Sequence, residues 1–138
     1  MSSSFVTGIA HLALNARDVK KSLDFYCGAL GLKHSFSIPR EDGAPWIEYV
    51  KVTDGQFIEL FYPEDESGFV TGKTSFMHIC LSTHDIFAAE KAMIAAGVPI
   101  DIHPMQGKDN NWQMWVKDPD GNKIEFMQID SNSPQANA

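Results

Sequence analysis

The pattern of side chains predicts a β-strand near the start of the chain and another at its middle. Ile9, His11 and Ala13 alternate along the chain with Ala10, Leu12 and Leu14, and the stretch 76–81 shows a similar alternation. Side chains of a strand point alternately to its two faces, so a period of two is the expected signal. We therefore expect strands at about 9–14 and 76–81.

A helix is predicted after each of these strands. Asp18 and Asp85 stand where helix N-caps belong, and Gly31 and Gly97 suit the left-handed residue that commonly ends a helix. Between these signals, apolar residues recur at helical spacing, namely Val19, Leu23, Tyr26 and Leu30 in the first helix and Ile86, Ala89 and Met93 in the second.

Three further strand-like stretches follow each helix. The pairs Asp54-Gly55 and Asp120-Gly121 separate the last two stretches of each set, as expected of tight hairpin turns. Each half of the chain is therefore predicted to be a βαβββ module in an α+β fold. The six stretches are about 33–38, 46–52, 56–62, 99–103, 111–117 and 122–129.

The two halves are copies of one unit. A shift of 67 residues places 11–18 on 78–85 with three identities, and a shift of 66 places 51–61 on 117–127 with five identities in eleven pairs. Internal repeats of this kind define the architecture of a chain. We expect one domain over 1–130, made of a module at about 5–62, a linker at 63–74 and a module at about 75–129. The polar segment 131–138 is expected to be a flexible tail.

Composition restricts the class of protein. The 138 residues are 43% hydrophobic and carry a formal charge of -7, so a packed core is expected and nucleic acid is not an expected partner. No apolar run approaches the roughly 18 residues of a membrane span, and the N-terminus does not resemble a secretory signal. Cys27 and Cys80 lie far apart and are expected to be reduced thiols, which favours a cytoplasmic location.

The repeat carries one chemical pair twice, a histidine in its first strand and a glutamate in its last. These pairs are His11 with Glu59 and His78 with Glu125. Nitrogen and oxygen ligands of this mix suit a divalent ion such as nickel, cobalt, zinc, manganese or iron. A histidine in an apolar strand is alternatively a hydrogen-bonded interior residue, and each glutamate is alternatively on a solvated face. The recurrence of both pairs in register favours a metal site in which the equivalent positions converge on a pseudo-twofold axis.

Several short motifs are distributed over both halves of the chain. They are 9–14 (IAHLAL) with Asp18, 23–26 (LDFY), 30–32 (LGL), 58–60 (IEL), 77–81 (MHICL) and 116–126 (VKDPDGNKIEF). With these motifs the sequence resembles the vicinal oxygen chelate superfamily and, within it, glyoxalase I, from about Gly8 to Ile129. The resemblance implies an incomplete eight-stranded barrel built from paired βαβββ modules around one divalent metal per site, commonly in a homodimer whose two chains form the sites together.

Glyoxalase I is a lyase or isomerase, and the resemblance implies its reaction on a small-molecule substrate. That reaction is proton transfer through an enediolate on a metal-chelated hemithioacetal, formed from an α-ketoaldehyde such as methylglyoxal and a thiol such as glutathione. Glu125 is expected to be the principal base, with Glu59 in a supporting catalytic role. The alternatives are an epimerase or isomerase of another oxo-acid, thioester or sugar, a ligand-sequestering resistance protein, and a dioxygenase.

The substrate contacts depart from the family pattern. Asn15 and Pro63 stand where bacterial glyoxalase I commonly has an arginine and an asparagine that hold glutathione. Lys108, Trp46 and Trp115 are the candidates for substrate binding that remain, although a surface lysine and core tryptophans are the ordinary alternative.

Overall fold

A computed structural model of the chain describes residues 4–65, 69 and 74–138. Of the predicted linker 63–74, the parts 66–68 and 70–73 lie outside the described residues. The chain divides into two compact units. Unit 1 comprises the described parts of 1–27 and 31–69, and unit 2 comprises 28–30 with the described parts of 70–138.

Unit 1 is a four-stranded mixed sheet with one helical segment. Its elements are β1 (His11–Asn15), α1 (Val19–Leu23) with a π-helical turn (Asp24–Ala29), β2 (Lys33–Pro39), β3 (Pro45–Thr53) and β4 (Gln56–Phe61). The last two residues of the turn are grouped with unit 2. The sheet order is β1-β4-β3-β2, with β1 parallel to β4 and the other pairs antiparallel.

Unit 2 has the same topology. Its elements are β5 (His78–Ser82), α2 (Ile86–Ala95), β6 (Ile102–Gln106), β7 (Trp112–Lys117) and β8 (Lys123–Gln128). The sheet order is β5-β8-β7-β6, and only the β5–β8 pair is parallel. The predicted α+β fold with two βαβββ modules is therefore confirmed.

The helix signals of the sequence act as expected. The side chain of Asp18 accepts a hydrogen bond from the Lys21 amide, and that of Asp85 accepts from the amides of Phe87 and Ala88. Backbone donors in the first turn have no partner within the helix, so these carboxylates stabilise the helix starts. Gly31 after the first helical segment has a φ of 73°, a left-handed conformation that favours glycine.

The first helix differs from the single α-helix predicted over 19–30. After α1 the chain widens into the π-helical turn, and the adjacent residues Phe25 and Tyr26 are both buried there. The π-helical turn has i to i+5 hydrogen bonds instead of the i to i+4 bonds of an α-helix, so the prediction of one regular α-helix is wrong for its second half.

One face of each sheet forms the core with the helix. In unit 1 this face includes Val50, Ile58 and Leu60, all at most 1% exposed, and in unit 2 it includes Val116 and Ile124, both fully buried. Because side chains alternate along a strand, the residues between them point to the opposite face. Glu59 and Glu125 are on that opposite face.

Strand β6 spans Ile102–Gln106 rather than the predicted 99–103. The Asp101 amide still donates to the Trp115 carbonyl at 2.9 Å, and the β6–β7 register shifts between Ile102 and Met105. In 131–138, a short 3₁₀-helix (Gln135–Asn137) is present and Ser133 is buried. Flexibility of this tail in solution stays a prediction.

Within the part of the chain that the structure describes, no helix is both long and apolar enough to cross a membrane.

Candidate metal and substrate site

In unit 1 the structure brings His11 and Glu59 together. The Nε2 atom of His11 lies 2.6 Å from a carboxylate oxygen of Glu59. The two residues are on neighbouring parallel strands, where Ala13 is the register partner of Glu59. Glu59 is only 5% exposed, and a carboxylate in such a position requires hydrogen bonds or a cation.

Unit 2 repeats this arrangement with His78 and Glu125. The Nε2 atom of His78 lies 3.3 Å from a carboxylate oxygen of Glu125, and Glu125 is 7% exposed. Cys80 is the register partner of Glu125 across the parallel β5–β8 pair. The two predicted pairs therefore occupy equivalent positions in the two sheets.

The atoms of each pair fit a divalent ion. Metal bonds to imidazole nitrogen and carboxylate oxygen are about 2.0–2.2 Å long, so neighbouring ligand atoms on one ion are roughly 3 Å apart. The separations of 2.6 and 3.3 Å are close to this value. Among the described residues, no group of three or more histidine, cysteine, aspartate or glutamate side chains is arranged to hold a metal ion, and each unit brings together one histidine and one glutamate.

An aromatic residue stands beside each glutamate. Tyr49 is the register partner of Glu59, and Trp115 is the register partner of Glu125. A hydrogen bond to Glu59, with a smaller effect of burial, raises the pKa of Tyr49, so the hydroxyl remains protonated and donates to the carboxylate. The 66-residue shift of the repeat places Tyr49 on Trp115, and this signal could have identified Tyr49 as a site residue from the sequence.

Cys80 is a poor nucleophile in this environment. Desolvation of its sulfur, together with the negative charge of Glu125 and a hydrogen bond to it, raises the pKa of Cys80 to about 12. The thiolate is the reactive form of cysteine, and it is scarce at neutral pH when the pKa is this high.

A cavity of about 170 Å³ opens in unit 1 beyond Glu59. Asn15 and Phe61, which are register partners, contribute to its wall. Phe61 follows Glu59 by two residues, so it lies on the same face of the sheet, about 7 Å farther along the strand. The lining residues are Asn15, Arg40, Trp46, Phe61, Tyr62, Pro63, Glu64, Asp65 and Phe69.

The three residues that the sequence predicts to bind substrate lie in different parts of the fold. Trp46 lines the cavity of unit 1, whereas Trp115 packs its ring against His78 in unit 2. Lys108 is an exposed residue of the β6–β7 loop. Arg40 also lines the cavity, with its guanidinium 5.9 Å from the centre of the Trp46 ring and 3.1 Å from a carboxylate oxygen of Glu64.

Known proteins share this architecture. The solved structure of a glyoxalase/bleomycin resistance protein/dioxygenase superfamily member from Sphaerobacter thermophilus has a TM-score of 0.75 at 23% identity, covering 91% of this chain and 100% of that one. The lactoylglutathione lyase of Agrobacterium tumefaciens has a TM-score of 0.69 at 21% identity, covering 91% of this chain and 96% of that one. These identities support the fold alone.

Sequence comparison adds closer relatives. The chain is 33% identical to a protein of Vibrio parahaemolyticus named "Probable lactoylglutathione lyase", over 87% of this chain and 89% of that one. It is 30% identical to the lactoylglutathione lyase of Haemophilus influenzae, over 87% of this chain and 91% of that one. Residues 8–126 match the family model of the glyoxalase/bleomycin resistance protein/dioxygenase superfamily. A match over most of the chain, with the paired βαβββ modules, establishes that this protein belongs to that superfamily.

Proposed function

We propose that this protein is a metal-dependent lyase or isomerase of the glyoxalase I type. Its substrate would be the hemithioacetal of an α-ketoaldehyde, such as that of methylglyoxal and glutathione. The observation that carries the proposal is the histidine–glutamate pair, which recurs at equivalent positions with separations that suit one ion. The relatives named lactoylglutathione lyase support the same reaction class.

The proposed ligands are His11, Glu59, His78 and Glu125. A bound divalent ion, with nickel, cobalt and zinc as the first choices and manganese or iron next, would supply Lewis-acid stabilisation of negative charge on the substrate oxygens. Glu59, hydrogen-bonded to Tyr49, is held in place as a ligand. Both glutamates are nearly buried, which keeps bulk water away from their carboxylates.

Glu125 is proposed to move the proton. Its carboxylate would take the proton from the substrate carbon that bears the sulfur and return it to the neighbouring carbon, so the overall reaction is an isomerisation without net proton change. Glu59 is the proposed second catalytic carboxylate.

The unit 1 cavity is proposed to hold the part of the substrate that is remote from the reacting carbons. Arg40 can offer a guanidinium to a substrate carboxylate, and Trp46 offers an apolar wall. The Arg40–Glu64 ion pair is a weak competitor because the Glu64 side chain is 77% exposed. Arg40 would thus provide a charge that Asn15 and Pro63 cannot. Lys108 and Trp115 remain proposed substrate contacts as well.

We also propose a homodimer, which is supported by large apolar side chains left on the surface. Phe5, Ile9 and Met77 are 97%, 76% and 75% exposed. Light scattering of the purified protein during size-exclusion chromatography should give a mass twice that of the 15.3 kDa chain. A mass equal to that of one chain would contradict the dimer.

A cytoplasmic location is likewise proposed, and cell fractionation tests it.

One experiment tests the main proposal. The purified protein is analysed for metals, stripped with a chelator and assayed for thioester formation from methylglyoxal and glutathione after addition of nickel, cobalt or zinc. Activity that depends on the added metal is the expected result. A metal-loaded but inactive protein would favour an epimerase or isomerase of another substrate, and a protein that binds no metal would favour ligand sequestration.

A further inference from the structure

Trp115 lies against both proposed ligands of unit 2. Its ring centre is 4.7 Å from that of His78, with the planes inclined by 72° in an edge-to-face contact. It is also the register partner of Glu125 on the neighbouring antiparallel strand. Register partners on one face have Cβ atoms about 4.5–5.5 Å apart, so the indole is within reach of the glutamate side chain.

The single hydrogen-bond donor of this indole is engaged elsewhere. Nε1 of Trp115 donates to Oε1 of Gln113 at 2.7 Å, along the same strand and on the same face. An indole has one N–H and no acceptor, so a bond this short satisfies it. The indole N–H is therefore not donated to Glu125, whose other register partner, Cys80, does hydrogen-bond to it.

Unit 1 is built differently at the matching position. The hydroxyl of Tyr49 hydrogen-bonds to Glu59, the residue opposite it. The 66-residue shift that places Tyr49 on Trp115 also places Ile47 on Gln113, and an isoleucine side chain has no acceptor with which to divert the donor. The two glutamates of the repeat thus differ in whether a neighbouring aromatic residue bonds to them.

The loop before β7 leaves room for Gln113. A Cβ atom placed on Gly107 would lie 2.6 Å from Nε2 of Gln113, closer than such atoms approach in proteins. The glutamine amide therefore packs against the Gly107 backbone, and a side chain at position 107 would require this amide to shift.

We infer that Gln113 is a positioning residue that holds the Trp115 indole against His78 and keeps its N–H away from Glu125. The inference rests on the proposed function, in which His78 and Glu125 bind the metal. With the N–H diverted, Trp115 adds no hydrogen bond to the carboxylate of Glu125, which already bonds to the Cys80 thiol. A hydrogen bond from the indole would compete for the same lone pairs.

A double-mutant cycle tests this role in the full-length protein. Gln113→Leu removes the acceptor, and we expect the freed N–H to bond to Glu125. The dissociation constant for zinc, measured by competition with a chromophoric chelator, should rise about tenfold, as is usual when a residue behind the ligands is lost. In the Trp115→Phe background, which has no N–H to release, Gln113→Leu should leave the dissociation constant unchanged. Gln56→Leu, at an exposed glutamine of β4, is the matched control.

A second readout does not depend on metal. In the metal-free protein, the indole N–H resonance that disappears in Trp115→Phe identifies Trp115, and Gln113→Leu should shift it. Any one of three results would overturn the inference. They are an indole resonance that Gln113→Leu does not shift, a zinc affinity that Gln113→Leu does not change, and a loss of zinc affinity that is equal in the wild-type and Trp115→Phe backgrounds. A wild-type chain that binds no metal would overturn the proposed function and this inference with it, whereas zinc binding that ignores Gln113→Leu would overturn this inference alone. Thermal unfolding of each variant checks that it is folded.

Discussion

The imidazole of His11 and the carboxylate of Glu59 approach within 2.6 Å across two parallel strands. The glutamate is nearly buried, whereas half of the histidine side chain remains exposed. The pair therefore places one imidazole nitrogen and one carboxylate oxygen side by side, as the proposed metal site requires.

Replacing His11 tests this pair as a ligand set. His11→Ala should raise the dissociation constant for zinc by at least about 100-fold, because loss of a ligand costs more than loss of a residue behind one. Chelator competition on the stripped protein measures it. His84→Ala removes an exposed histidine and serves as the control. Equal zinc affinity in the two variants would contradict the assignment.

Replacing Glu125 tests the proposed base. Glu125→Gln should lower kcat by a factor on the order of 10² to 10⁴, because the amide cannot accept the substrate proton. The assay is thioester formation at saturating metal, with bound metal measured in the same sample. Glu41→Gln, at an exposed loop position, should behave as the wild type. Full activity of metal-loaded Glu125→Gln would exclude the assigned role.

Replacing Arg40 tests the cavity of unit 1. Arg40→Gln should raise KM for a carboxylate-bearing substrate roughly tenfold with little change in kcat, because a charge-assisted hydrogen bond remote from the reacting carbons contributes about 1.5–3 kcal/mol to binding. Steady-state kinetics separate the two constants. Lys91→Gln removes an exposed charge of α2 as the control. An unchanged KM would show that the substrate does not reach Arg40.

A buried carboxylate on the core side of unit 1 carries a stability prediction. Glu48 is 8% exposed and bonds to His34 at 3.0 Å, to Tyr62 at 3.4 Å and to Ser37. Glu48→Ala removes the shared acceptor, and its unfolding free energy should fall by about 1–3 kcal/mol. Urea denaturation measures the change, with the exposed Glu41→Ala as reference. A loss no larger than that of the reference would contradict the network.

Tyr62 makes part of this stability depend on pH. Burial, followed by the charge of Glu48, raises the pKa of Tyr62 above its usual value. The folded protein holds this proton more tightly than the unfolded chain does, so the contribution is complete below about pH 10 and is lost as the pH rises through the raised pKa. Tyr62→Phe should therefore lose less unfolding free energy between about pH 9 and pH 11. Urea denaturation at both pH values compares the variants, and parallel losses would contradict the prediction.

Signals in the amino-acid sequence are sufficient to predict the secondary-structure elements and the repeat. These signals are local or periodic, so they can be recognised in the sequence alone. They are the alternation along the strands, the helix caps Asp18 and Asp85, and the recurrence of the pair His11 and Glu59 as His78 and Glu125. They predict the βαβββ modules and identify the two histidine–glutamate pairs as candidate ligands. They do not predict the π-helical turn after α1, in which Phe25 and Tyr26 are buried.

The side chains that lie opposite the glutamates follow from tertiary contacts. The approach of Tyr49 to Glu59 and of Trp115 to Glu125 depends on the register between strands, and the Trp115–Gln113 bond depends on the rotamers of the two side chains. Arg40 joins the cavity through the β2–β3 loop, far in sequence from Asn15 and Phe61. These contacts arise from packing between distant segments, and no local pattern in the sequence encodes such packing.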